Sequence, residues 1–151
     1  MYGQTINAGD VKDALHALES AVALERCAAS IILLRSRSPE FSIATALDTL
    51  ERECENNPPK VESFWLNWAV NFLPDEELNA RESIRLFIYR SSFSEQVACR
   101  SNTMSILGRL AKGGDCIALA ILKICVFSEE PKVRTNALSS LRMIESDVDS
   151  P

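Results

Sequence analysis

Apolar residues recur along this chain at intervals of three and four, the spacing that gathers them on one face of a helix. Val11, Ala14, Leu15, Leu18 and Val22 form a first stripe, for which Asp10 is the expected N-cap. The phase slips near Ala23–Glu25 and resumes through Leu24, Cys27, Ala28, Ile31 and Leu34, predicting either a kinked helix or two short ones between residues 10 and 36. Ser38-Pro39-Glu40 reads as a helix start, with a capping hydroxyl, a proline at the first helical position and an acid in the first turn. That helix is expected to turn Phe41, Ala44, Leu47 and Leu50 inward and to stop before Asn56-Asn57-Pro58-Pro59. Another is predicted from about Lys60 to just before Pro74. Pro74-Asp75-Glu76-Glu77 then opens one running to about Ser91, its three acids placed where the macrodipole favours them. Ser94-Glu95 begins a helix that Gly113-Gly114 ends with a left-handed cap. Asp115 caps a short, strongly apolar helix through Val126, and Ser128-Glu129-Glu130-Pro131 opens the last, ending near Glu145. No stretch alternates long enough to read as a strand. Short connections between seven or eight helices imply antiparallel neighbours.

The pattern also repeats. Arg134-Thr-Asn-Ala-Leu-Ser-Ser-Leu141 aligns with Arg100-Ser-Asn-Thr-Met-Ser-Ile-Leu107 at an offset of 34, and weaker echoes at Ala14–Leu18 and Ala46–Leu50 lie 32 apart. Glu130-Pro131-Lys132-Val133-Arg134-Thr135-Asn136-Ala137-Leu138 resembles the start of the second helix in HEAT and armadillo-like repeats, which read acid-Pro-x-Val-Arg-x-x-Ala-x-x-x-Leu. Ser94–Leu110 resembles a degenerate copy, with Val97 and Arg100 one residue too far apart, and Ser38–Leu50 has the proline start without the arginine. The likeness is good over 115–145, thin over 75–112 and only architectural before that. It implies an all-α fold, a right-handed α–α superhelix of three to four stacked helix hairpins. A single repeat domain over 10–145 would then lie between an N-terminal extension, 1–9, and a flexible tail, 146–151. The family's arginine usually pairs with a nearby acid, so the resemblance makes Arg100 and Arg134 structural.

Composition narrows the function. A chain of 151 residues, 46% apolar and 25% charged, can bury a core without disulfides or metal. A net charge of −5 argues against a dedicated nucleic-acid binder. The charge is polarised, however: residues 1–80 hold six Lys/Arg against thirteen Asp/Glu, and 81–142 hold ten against five. Such a chain suits a charged protein partner. Five cysteines, odd in number and without close pairing, point to a reducing compartment. The N-terminus has no signal-peptide pattern, and the longest apolar stretch, around Ala28–Leu34, is too short to cross a bilayer. The expected location is cytoplasmic, without membrane attachment.

Candidate chemistry is sparse. His16 is the only histidine and has no acid beside it to orient the ring. There is no Cys-x-x-Cys and no histidine pair, so neither a metal nor a cofactor is expected, and Gly113-Gly114 lacks the Gly-Lys-Ser/Thr context of a phosphate loop. Glu51, Glu53 and Glu55 read as a solvated face. The aromatic cluster Phe64, Trp65, Trp68 and Phe72 is richer: the last three share a helical stripe with Val61. Core packing is the common role of such a stripe, but an exposed tryptophan there would be a binding hot spot. Arg81 and Arg85 sit one turn apart on the next predicted helix, with Glu77 placed to pair with Arg81. Trp65, Trp68, Arg81 and Arg85 are therefore the candidate protein-binding residues. The expected function is a non-enzymatic protein–protein interaction module, either an acidic immunity- or inhibitor-type protein or an adaptor. The alternatives are a HEAT-like nucleic-acid-processing enzyme using the basic 81–142 segment, and a structural subunit of a homo-oligomer. The oligomeric state stays open.

Overall fold

The computed structural model describes residues 6–36, 43–56 and 63–148. Over these the chain is all-helical, with nine helices and no strand among the described residues: α1 (Ala8–Ala17), α2 (Ala23–Ser36), α3 (Ile43–Glu55), α4 (Ser63–Val70), α5 (Asp75–Ala80), α6 (Glu82–Ser91), α7 (Val97–Lys112), α8 (Cys116–Cys125) and α9 (Pro131–Val148). The chain forms two compact units, Met1–Leu73 and Pro74–Pro151.

In the first unit α2 packs against α1, α3 and α4. The phase slip after residue 22 resolves as two helices separated by a turn. The N-cap of α1 is Asn7, not Asp10. Asn7 Oδ1 accepts the Asp10 amide at 2.9 Å, and the Asp10 carboxylate accepts the Asn7 amide at 3.0 Å. The acid is thus the third-position partner of a capping box. Val11, Ala14 and Leu18 are buried as their spacing requires, whereas Leu15 and Val22 are exposed. On α3 the buried set is Ala46, Leu47, Thr49, Leu50, Glu53 and Cys54, with Ala44 outside. The start signal Ser38-Pro39-Glu40, Phe41, the Asn57-Pro58-Pro59 break, Lys60 and Val61 lie outside the described residues. On α4 and the turn after it, Leu66, Ala69, Val70 and Leu73 face the core.

In the second unit the single helix expected over 74–91 is two, broken at Arg81, whose backbone is extended (φ −103°, ψ 103°). The break has a packing cause. At 3.6 residues per turn, Leu78 would point roughly 120° away from Ile84 in a continuous helix. Interrupting the helix re-phases it, so Leu78, Ile84 and Ile88 are all fully buried. The end of α7 is as expected: Gly114 takes φ +100°, its amide bonds the Ala111 carbonyl, and the Asp115 amide bonds the Leu110 carbonyl at 3.0 Å. These two bonds make a Schellman motif. Asp115 then caps α8 by accepting from the Ile117 and Ala118 amides. The last helix, α9, continues to Val148, three residues beyond its expected end.

Helices α7 and α9 run side by side in the same direction. Asn136 Nδ2 donates to Ser101 Oγ at 2.8 Å and to its carbonyl at 3.1 Å, and Ser140 Oγ donates to the Met104 carbonyl at 2.9 Å. Close approach needs Gly108, where a Cβ would come within 3.0 Å of Ser140 Cβ. Helix α8 packs on both α7 and α9, and α6 packs on α7.

Candidate functional site

Trp65 and Trp68 lie together on α4, not in its core face. Phe64, Trp65, Trp68 and Phe72 form a run of edge-to-face contacts with centroid separations of 5.4, 6.0 and 5.4 Å. Trp65 is 38% exposed. Trp68 is half-buried, and the Arg35 guanidinium lies 5.8 Å from the Phe72 centroid. The stripe flanks the core because the smaller residues Leu66, Ala69 and Val70 fill it.

Arg81 and Arg85 belong to the other unit. Arg81 pairs with Glu77 at 3.0 Å, as the spacing suggested, but from the break between helices. Arg85 donates to the Asn79 carbonyl at the end of α5, where carbonyls lack intrahelical donors. It also hydrogen-bonds Tyr89, whose hydroxyl donates to the Asp115 carboxylate. Burial and that carboxylate raise the Tyr89 pKa to about 12. These partners give both arginines structural work.

Among the described residues Arg85 is one of four arginines used alike. Arg26, Arg85, Arg100 and Arg134 are each the fourth residue of their helix, and each donates to the main-chain carbonyl six residues back, at Ser20, Asn79, Ser94 and Ser128. Ser20, Ser94 and Ser128 also accept, through Oγ, the amide two residues on. The bond ties the preceding turn to the first turn of the helix, and neither α6 nor α7 has a side-chain N-cap. Arg100 and Arg134 therefore latch onto backbone, where the resemblance had implied an acid. The same alignment places Cys99, not Val97, opposite Val133; both are buried.

Glu53 departs most from its sequence reading. It is not part of a solvated face: its side chain is 4% exposed and meets Arg26, with Nε 2.7 Å and Nη2 2.6 Å from Oε1. Oε2 is buried without a hydrogen-bond partner. Burial, followed by the Glu53 charge, raises the neighbouring Cys27 thiol to about 12. The Cys54 thiol is also raised well above its ordinary value, mainly by burial. All five cysteines are free, and only Cys116 is exposed. His16 is exposed on α1. Among the described residues no three His, Cys, Asp or Glu side chains gather as a metal site, and no helix is long and apolar enough to cross a membrane.

The second unit carries exposed apolar surface that the sequence reading passed over. Ile117 and Ile124, seven residues apart on α8, are exposed, and Phe127 in the turn after that helix is 85% exposed. Phe93, also exposed, stands 34 residues earlier and is followed by the same Ser-Glu pair, the signal that could have revealed both. On α7, Ser101, Met104 and Gly108 receive α9. Their equivalents 34 residues on, Thr135, Leu138 and Arg142, are exposed, Leu138 to 37%.

No family model, no curated protein and no solved structure matches this chain.

Proposed function

We propose that this protein is a non-enzymatic interaction module of the HEAT- and armadillo-like kind, in which stacked helix hairpins offer a face to another polypeptide. The observation that carries the reading is the open copy of a used surface. Met104 is fully buried where α9 packs on α7, while Leu138, its counterpart, is 37% exposed. In a helical-repeat array each helix pair covers its neighbour, and an uncovered apolar face is where a further helix binds. Ile124 on α8 and Phe127 in the turn after it are further exposed apolar residues of the same unit. Buried thiols at Cys27 and Cys54 fit a reducing, cytoplasmic setting. On this reading the half-exposed Trp65 and Trp68 form a second aromatic contact surface, and Arg81 and Arg85 hold turns together.

The test is a selection of displayed helical peptides, about 20 residues long, on the intact chain. Selected peptides are expected to bind the parent chain and to lose at least about ten-fold in affinity for Leu138→Glu or Phe127→Ser, both at exposed positions. Peptides that bind these variants as well as the parent would remove the α9 face from the reading. No selectable binder at all would remove the reading itself.

A further inference from the structure

A groove of about 580 Å³ runs between α1 and α2, within the range of pockets that hold a ligand group. Its floor is apolar and shallow because the facing positions are alanines: Ala14 and Ala17 on α1, Ala28 and Ala29 on α2, with Ile32 beyond them. Ala28 is exposed although its surroundings are apolar. Such a floor lets a third chain approach closely, since helix separation is set by the side chains at the contact. The rim is acidic. Asp10, Asp13 and Glu25 line it. Among the described residues Asp10 and Glu25 hydrogen-bond neutral groups, the Asn7 amide and the Ser20 hydroxyl, and pair with no cation. Arg35 is the one cation among the described residues that lines the groove, and its guanidinium lies over the Phe72 ring. Residues 1–73 as a whole hold ten Asp/Glu against six Lys/Arg.

We propose that this groove binds a basic polypeptide segment, with one apolar side chain seated over Ala14, Ala17 and Ala28 and flanking Lys or Arg residues meeting Asp10, Asp13 and Glu25. The proposal rests on the interaction-module reading and names a partner class for the first unit. The apolar floor calls for a side chain that leaves water, and the acidic rim selects the charge around it. The same rim repels phosphate, which turns away nucleic acid and anionic lipid alike. A buried apolar anchor supplies most of the affinity, and the charges set the encounter rate and the salt response.

The experiment uses the full chain and a fluorescent peptide of about 16 residues, with a central Leu between Lys residues. Anisotropy is read at about 50 and 300 mM NaCl. Saturable binding is expected, at least about ten-fold weaker at the higher salt and weaker again by about ten-fold when the central Leu is Ser. Ala28→Phe, which fills the groove from an exposed position, and Asp13→Lys, which reverses the rim, are each expected to weaken binding by about ten-fold. Circular dichroism first establishes that both variants keep their helix content. Leu138→Glu is expected to leave the peptide's affinity unchanged. Absence of saturable binding, equal affinity for the Leu and Ser peptides, or undiminished binding to both groove variants would overturn the proposal. Loss of binding in Leu138→Glu alone would overturn it while leaving the interaction reading intact, because the peptide would then sit on α9. Failure of the selected helical peptides is a separate result, and it is that one that strikes the general reading.

Discussion

Cys27, Cys54 and Glu53 share one buried corner between α2 and α3, and the two thiols are held neutral there. In an unfolded chain a thiol ionises from about pH 9, whereas Cys27 keeps its proton to about 12, chiefly because burial disfavours the thiolate. Above pH 9 the folded protein therefore holds more protons than the unfolded one. The contribution is complete below pH 9 and disappears as pH climbs towards 12. Tyr89, raised from 10 to about 12, adds in the same direction over the upper part of that window. Melting temperature is expected to fall steadily between pH 9 and 11, and to fall less in Cys27→Ala. A flat profile in the parent chain would contradict the burial of these groups. Glu53 itself was legible in position but not in type. It follows Ala46 by seven residues and so lies on the buried side of α3, yet its carboxylate argues for solvent until Arg26, 27 residues away, is placed beside it.

At the level of single helices, the arginine latch is the recurring device. A cation in the first turn opposes the macrodipole, so each latch must recover that loss through its bond to the preceding carbonyl. Removing Arg134 leaves the Ser128 carbonyl without this donor. Arg134→Ala is expected to cost about 1.5 kcal/mol, measured by urea denaturation, with the Arg100→Ala cost similar because its bond, 2.6 Å to the Ser94 carbonyl, is alike. An Arg134→Ala chain as stable as the parent would show that the latch holds nothing. Helix ends governed by local chemistry were readable from the sequence: Gly114, Asp115 and Ser128 act where their types predict. The break at Arg81 was not, because no helix-breaking residue marks it. It follows from Leu78 and Ile84 both reaching one core, which is a tertiary requirement. Asn7 displaced Asp10 as a cap for a related reason: two residues suited to the role stood three apart, and reciprocal bonding decided their order.

On the scale of the molecule, each unit has its own fully buried residues. Leu33, Leu47, Leu50, Leu66 and Leu73 serve the first, and Leu78, Ile84, Ile88, Met104, Ile106, Leu107 and Leu110 the second. A piece comprising residues 74–151 is therefore expected to remain helical by circular dichroism and to unfold cooperatively in urea, at a lower midpoint than the intact chain given its small size. A structureless piece would mean that its core needs the residues before Pro74. The candidate binding residues were only partly legible at this scale. The grouping of Trp65 with Trp68 could be read from their stripe, whereas the α1–α2 groove is a space between helices that no single stripe encodes.

The matched registers of α7 and α9 also say what lengthening this protein would take. A grafted duplicate of residues 115–148 would meet Thr135 and Leu138 much as α9 meets Ser101 and Met104, but Arg142 stands where the seat has Gly108. On the proposed repeat reading that side chain would hold an added helix further out than α9 sits on α7, and Arg142→Gly would be the first change an engineer makes to let it close in.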